Sequence, residues 1–368
     1  MKHFFEKIDK VFLGIVLALT IIGVVMFVSA SLGILARSDQ KFYGVLTNQL
    51  ISVALGVGAL FVTMSIPYKN WRKYSLFIFL GSLVLTALVF VPGISFAHGG
   101  ARRWISLGSF QFQPAEFLKI GFIMYFATWL SWFKSNAQDV KKAIMPFVIM
   151  IGTMAAILLR QPDTKSIMLM VIAGAAMCVL SGIPWKYILG FLGTAIVLFL
   201  ILATTVPYLH DRIDTFIHPE KDAQGASWQI TQSLNAIGSG QIAGRGLGQS
   251  IQKFGALPEP QGDSIFAVLG EEMGFIGTAL VVLLYLAFAL RGLRIASHAP
   301  DHFSKLLVTG LVILLVMQSY LNIAALIGIF PLTGVPLVFM SHGGTSLMTS
   351  LAIVGIILNV SKSRKSSS

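Results

Sequence analysis

The chain carries a single cysteine, Cys178, set in an apolar run. One cysteine cannot form an intramolecular disulfide, and no CxxC pair exists to bind metal or run redox chemistry. Cys178 therefore reads as inert packing. Charge is also scarce: Asp, Glu, Lys and Arg make up 11% of the residues, against about 25% in a soluble domain. No HExxH helix and no Ser-His-Asp grouping is present, so proteolysis by a zinc or serine centre is unsupported. The glycines at 238, 240, 244, 246 and 248 follow no strand and lack the GxxxxGKS/T pattern. They suit turns or close backbone approach rather than a nucleotide cradle. No internal repeat is visible, and an inverted-repeat transporter is unsupported for that reason.

What is present is apolar length. Of 368 residues, 55% are hydrophobic and the mean hydropathy is +0.80. This composition specifies an all-α polytopic membrane protein. The net charge of +12 would suggest nucleic acid in a soluble protein. In a membrane protein it reflects cytoplasmic Lys and Arg facing anionic headgroups, so the expected partner is the lipid bilayer and no nucleic acid. The basic start MKHFFEKIDK looks like a signal peptide, yet Val11 to Ser31 is long enough to span and no small-residue cleavage site follows. A crossing needs about 20 apolar residues. Ten runs qualify, at 11–31, 47–66, 74–96, 116–133, 144–160, 166–183, 186–206, 265–290, 306–330 and 345–361. They form one membrane domain over 1–368, with a short N-terminus (1–10), a long loop (207–264) and a tail (362–368).

Orientation follows from the basic residues. With the N-terminus inside, sixteen Lys and Arg fall on the cytoplasmic side and ten outside, four of the ten in the long loop. Long loops count for little in this rule. Both termini are thus expected in the cytoplasm, with 207–264 outside.

Four clusters on that outer side carry chemical potential. The first is Gly99-Gly100-Ala101-Arg102-Arg103-Trp104, followed by Glu116 and Lys119. Two arginines in a short outer loop break the positive-inside pattern, and arginine grips phosphate with two parallel hydrogen bonds. An ordinary interfacial Arg/Trp belt is the alternative. Glu116 and Lys119 share a helix face and can pair, and charges inside a span usually face a cavity. The second cluster, Arg160-Gln161-Pro162-Asp163, also reads as a plain turn. The third is the long loop, with Arg212, Glu220, Asp222, Gln232 and Glu259. The fourth runs from Thr333 to Ser346 and includes Ser341 and His342; its glycines and prolines suit a cavity-lining loop. Asp263 closes the long loop where the next apolar run begins, and an acid at a helix mouth is a site candidate. The adjacent acids Glu271 and Glu272 are expected to point in different directions, one to the bundle and one to the interface.

Together these pieces resemble the SEDS family of membrane glycosyltransferases, which includes FtsW and RodA. The matching stretches are Gly-Ala-Arg-Arg-Trp-Ile at 100–105, Gln-Pro-Ala-Glu-Phe at 113–117 and Gln-Pro-Asp at 161–163. Further on come Gln-Ser-Leu-Asn-Ala-Ile-Gly-Ser-Gly at 232–240, Gly-Arg-Gly-Leu-Gly-Gln-Ser at 244–250 and Leu-Pro-Glu at 257–259. Phe-Ala-Val-Leu-Gly-Glu-Glu-Met-Gly at 266–274 and Ser-His-Gly-Gly-Thr-Ser at 341–346 complete the set. The wording of 246–259 is closer to the FtsW branch. The chain departs from the family at three places. The usual His-Thr-Asp-Phe reads Gln261-Gly262-Asp263-Ser264. The usual Gly-Thr after Gln-Pro-Asp and one spacer reads Lys165-Ser166. His342 stands where tyrosine is typical.

The resemblance implies polymerisation of lipid II into β-1,4 glycan strands at the outer face of the cytoplasmic (inner) membrane, during division at the septum. It implies a class B penicillin-binding protein and other division proteins as partners. It places the essential aspartate on Asp263 and the conserved Arg-Trp and helix lysine on Arg103, Trp104 and Lys119. A lipid pyrophosphate is a good leaving group, so the chemistry needs one base and cations on the departing phosphates. A glycosidase, whose leaving group is not activated, needs two carboxyls. Asp263 is the expected base. The expected substrate contacts are Arg102, Arg103, Trp104, Glu116, Lys119, Arg212, Glu259, Glu271 and Ser341. No metal-ligand cluster is legible; the one cofactor with a place in this chemistry is a divalent cation, Mg2+ or Mn2+, on the pyrophosphate. A lipid II flippase and a non-catalytic division scaffold are the rival functions.

Overall fold

The computed structural model describes residues 8–98, 101–107, 110–136, 140–218 and 225–363. Gly99, Gly100, Glu220, Asp222, most of the N-terminus and the tail beyond Ser363 lie outside the described residues. Among the described residues, ten helices overlap the ten apolar runs. They are α1 (Lys10–Leu35), α2 (Asp39–Ser65), α3 (Tyr68–Ala87), α4 (Pro114–Asn136), α5 (Val140–Leu158), α6 (Thr164–Leu180), α7 (Trp185–Thr205), α10 (Ile265–Ser297), α11 (His302–Leu326) and α12 (Gly344–Ser361). Two shorter helices, α8 (Pro207–Ile217) and α9 (Ala226–Ser239), lie between α7 and α10. Seven helices (α1, α2, α3 with its 3-10 extension, α7, α10, α11 and α12) are long and apolar enough to cross a membrane. The protein is a multi-pass membrane protein.

The caps follow local sequence. Asp9, Asp163 and Asp301 each accept a backbone N–H in the first turn of α1, α6 and α11, and Asp301 forms a reciprocal capping box with Ser304. Pro114 and Pro207 open α4 and α8, where a missing N–H costs nothing.

Two expectations need correction. The fold is not purely helical: β1 (Ser95–His98), β2 (Ala101–Leu107) and β3 (Phe110–Phe112) form an antiparallel sheet in the order β1-β2-β3. Phe96 pairs with Trp104 and Ile105 with Phe112, with a bulge after Phe96. The run 74–96 therefore ends early as a helix: a 3-10 turn closes at Phe90, and Pro92 and Gly93 (φ 88°) break it. Within 207–264, α8 and α9 occupy much of the connection.

α11 and α12 are buried along most of their length and form the centre of the bundle. α10, α6 and α4 pack around α11, and α12 lies along α2. The α12–α2 crossing is close because small residues meet there. A side chain at Gly355 would collide with Leu60 and Thr63, and Thr63 Oγ1 donates to Ala352 O at 2.8 Å. By contrast α7 is mostly exposed and apolar, as suits contact with lipid.

α10 is two helices joined at Gly274 (φ 62°). The broken backbone is satisfied by the loop before it. Phe275 and Ile276 N–H donate to Gln241 O and Ile242 O, while Arg245 and Gly246 N–H donate to Glu271 O and Glu272 O. Irregular backbone inside a membrane protein is tolerated only when it is paired in this way.

Candidate active site

The site is assembled at the end of the bundle that holds the N-termini of α4, α6, α10 and α12, the sheet and α8. Arg103 on β2 donates from Nε to Gln161 O at 2.9 Å and from Nη2 to Pro162 O at 2.6 Å. The planar fork thus grips the turn before α6, a use lysine cannot copy. Arg103 also lies over the ring of Tyr208 at 5.9 Å, and Arg212, one turn further along α8, lies over the same ring at 4.5 Å. Burial pushes the Arg212 guanidinium below its usual value; Tyr208 opposes that shift and Arg103 adds to it.

Asp263 precedes the first turn of α10 and is half-buried. Its backbone carbonyl accepts from Asn322 Nδ2 at 2.9 Å, and the same amide donates to Val335 O at 2.7 Å. Asn322 thereby ties the Asp263 segment to the α11–α12 loop. The carboxylate lies against Gly334: a methyl group added there would sit 3.2 Å from Asp263 Oδ2 and 4.0 Å from Arg212 Nη2. Lys165, near the start of α6, donates from Nζ to the Gly334 carbonyl. Gly334 (φ 61°) is thus the point where Asp263, Arg212 and Lys165 meet, in a left-handed conformation that suits glycine. Asn322 Oδ1, Thr333 Oγ1 and Gln261 Oε1 are buried here without a hydrogen-bond partner among the described residues. Unspent acceptors of this kind mark a place where a ligand or water binds.

Beneath this surface runs a buried polar chain. Lys119 Nζ bonds Glu116 Oε1 at 2.8 Å and Gln318 Oε1 at 3.0 Å, and Gln318 Nε2 reaches Pro336 O. Asp163, fully buried, accepts from Gln113 Nε2 and Ser166 Oγ. The expected Glu116–Lys119 pair is present, and Gln318 links it to Pro336 of the α11–α12 loop, whose neighbour Val335 is tied through Asn322 to the Asp263 carbonyl. Trp104 is half-buried in the sheet, whereas Arg102 points into solvent away from these bonds.

The other expected contacts take structural places. Ser341 accepts from Leu337 N at 2.8 Å and folds the α11–α12 loop. Glu259 is exposed; its backbone carbonyl holds Gly262 and Ser264 N–H in the turn before Asp263. The acids at 271 and 272 do not diverge as expected, for both are buried and both serve the loop 245–253. Glu271 accepts from Ser250 Oγ at 2.6 Å and Ile251 N at 2.9 Å. Glu272 accepts from Lys253 Nζ at 2.8 Å, Ser29 Oγ at 2.6 Å and Gly248 N at 3.0 Å. His342 stacks on Phe27 and bonds Gln49 Oε1 at 3.0 Å, and burial lowers its pKa.

A cleft of about 690 Å3 lies between the α1–α2 turn and the end of the long loop, and its wall reaches Gln261, two residues before Asp263. Arg37, Lys41, Asn48, Trp228, Glu259 and Gln261 are among its walls. It is large enough for sugars and offers cations, amides and an aromatic face. Among the described residues, no three His, Cys, Asp or Glu side chains cluster as a metal site.

Lys165, Tyr208 and Asn322 were not among the expected site residues, and Gly334 was marked only as part of the run from Thr333 to Ser346. Tyr208 and Arg212 stand four apart on one helix, as do Gln318 and Asn322 in an otherwise apolar span. That spacing is the signal that could have found Tyr208 and Asn322.

The family model for FtsW/RodA/SpoVE cell cycle proteins matches residues 9–366. The chain belongs to the FtsW/RodA/SpoVE family. A probable peptidoglycan glycosyltransferase FtsW of Geobacter metallireducens is 38% identical over 360 residues, covering 98% of this chain and 96% of the relative. Stage V sporulation protein E of Bacillus subtilis is 37% identical over 359 residues, covering 96% and 97%. Among solved structures, a chain of a peptidoglycan synthase complex that coordinates polymerization and crosslinking superposes with a TM-score of 0.80 at 24% identity, covering 98% of this chain and 99% of that one. The FtsW/RodA/SpoVE fold therefore extends over essentially the whole chain.

Proposed function

We propose that this chain is a peptidoglycan glycosyltransferase that polymerises lipid II at the outer face of the cytoplasmic membrane during cell division. The observation that carries this reading is the convergence of Asp263, Arg212 and Lys165 on Gly334, with Arg103 held beside them. A half-buried carboxylate with no hydrogen bond to its oxygens among the described residues is free to take a proton. The surrounding cations can take negative charge. Asp263 accepts the proton of the acceptor sugar hydroxyl as that oxygen bonds to the donor's anomeric carbon. The bond to the lipid pyrophosphate breaks, and its electrons leave onto a phosphate oxygen facing Arg103 and Arg212. One displacement inverts the anomeric centre and gives a β linkage from an α-linked donor. The cleft beside Gln261 supplies a path by which sugars reach Asp263.

This reading uses ten crossings with both termini cytoplasmic, the arrangement favoured by the basic-residue count, so that the site end faces outward. The name of the Geobacter metallireducens relative supports the glycosyltransferase activity. The synthase complex supports a crosslinking partner, which we take to be a class B penicillin-binding protein.

The test is lipid II polymerisation by purified protein, with and without that partner, comparing wild type with Asp263→Asn. Polymer from wild type alone, with both proteins equally folded, supports the assignment. Polymer from Asp263→Asn removes Asp263 as the base. Lipid II scrambling without any polymer makes the chain a flippase.

A further inference from the structure

Lys165 is one of the cations gathered at Gly334, but the displacement described above sets no substrate atom against it. It stands two residues after Asp163 in the first turn of α6 and reaches the Gly334 carbonyl, the residue against which the Asp263 carboxylate and Arg212 also lie. An ammonium carries three donors. Among the described residues only the Gly334 carbonyl accepts from it. Its electrostatic neighbours are Asp163, Asp263, Arg103 and Glu116. Asp163 is already committed, because its oxygens accept from Gln113 and from Ser166 at the cap of α6. Glu116 is paired with Lys119.

The charges here do not balance. Arg103, Lys165 and Arg212 face Asp163 and Asp263, which leaves one positive charge in a half-buried place with orphaned polar atoms close by. Grouped cations repel and lose solvation, so they persist where an anion is to be bound. The three cations also come from three separate elements: β2, α6 and α8. They can therefore approach a group with several oxygens from different sides. Lysine differs from the two arginines in having a flexible stem and a compact charge, so its ammonium can follow a moving phosphate.

We propose that Lys165 is a third cation on the donor pyrophosphate, giving its unused donors to a phosphate oxygen from the α6 side. It joins Arg103 and Arg212 in stabilising the departing lipid pyrophosphate. This inference rests on the glycosyltransferase reading and adds a substrate contact to that site. Lys165 therefore raises affinity for donor and leaving group without being required for bond formation.

The experiment uses the full chain with its transpeptidase partner. It measures initial polymerisation rates against lipid II concentration, and inhibition by inorganic pyrophosphate, for wild type, Lys165→Gly, Lys165→Met and Lys165→Arg. Thermal unfolding of each is followed in the same detergent. Lys165→Gly and Lys165→Met should still make polymer, with KM for lipid II raised about tenfold, the effect of one charge-assisted hydrogen bond. Both should be inhibited about tenfold less well by pyrophosphate, and Lys165→Arg should recover most of both effects. A normal KM and normal inhibition in Lys165→Met, with a lowered unfolding temperature, would make the lysine only a clasp on Gly334 and overturn the proposal. If wild type itself makes no polymer, the function reading falls and this inference with it. If wild type works and only the Lys165 effects are absent, the function reading stands alone.

Discussion

The ammonium of Lys253 and the carboxylate of Glu272 stand 2.8 Å apart with neither side chain exposed. Lys253 belongs to the loop that leads to Asp263, and Glu272 to the first half of α10, which begins just after Asp263. Ser29 of α1 bonds both groups, so three chain segments are tied at one buried point. Removing one partner leaves the other charged, buried and unpaired, at about 3–5 kcal/mol. Lys253→Met should therefore destabilise the protein sharply, and Lys253→Met with Glu272→Gln should cost less than the sum of the two single changes. A double-mutant cycle on thermal unfolding in detergent checks this, and simple additivity would refute the pairing.

Gly274 and Gly244 make a second tie. Both have positive φ, and a side chain on either would collide with the backbone of the other's segment. Gly274→Ala has to adopt a backbone region that is essentially glycine's own (φ 62°, ψ −160°), at about 1–3 kcal/mol, and in addition push the loop away. It should lower the unfolding temperature and abolish polymerisation together. Normal activity in Gly274→Ala would mean that the loop is not held by the helix break.

Much of this architecture was legible in the sequence because its parts are long or out of place. Each apolar run marks a helix, since a membrane crossing requires a continuous stretch. Asp263 and Arg103 were visible as charges where charges are costly. The sheet at 95–112 was not visible. Its strands are short, β1 lies at the end of an apolar run, and strand pairing is a non-local property. Lys165 and Asn322 were missed for a similar reason: their meaning comes from Gly334 and Val335, which the fold brings to them from far along the chain. Glu271 and Glu272 misled because neighbouring helix positions usually face apart, whereas here the loop 245–253 folds over the helix end and reaches both.

Arg103 tests how much of the site depends on shape rather than charge. Its two bonds to Gln161 O and Pro162 O need the guanidinium fork. Arg103→Lys keeps the charge but can make only one such bond well. Losing one charged hydrogen bond corresponds to about tenfold or more in rate. Polymerisation by Arg103→Lys should fall by that amount, with the unfolding temperature changed much less. Equal activity of the two proteins would show that the site uses Arg103 as a point charge alone.

His342 gives the protein an acid-side limit. Burial lowers its folded-state pKa below the ordinary 6.5, so the folded protein holds the ring neutral while the unfolded chain protonates more readily. Between the two values the unfolded state binds more protons, and stability rises with pH. The contribution is complete above about 6.5 and is lost as the pH falls toward the folded value. Protonation would also place a charge against Phe27 and add a second ring N–H that needs an acceptor. The unfolding temperature of wild type, measured from pH 7.5 down to 5 in steps, should therefore fall more steeply than that of His342→Gln. Parallel curves for the two proteins would show that His342 is not the group responsible. Because the His342 backbone N–H donates to Gln261 O at 2.7 Å, two residues before Asp263, the acid-side loss should reach the site before the rest of the bundle. Polymerisation by wild type should then decline at a higher pH than global unfolding does, and His342→Gln should bring the two profiles together.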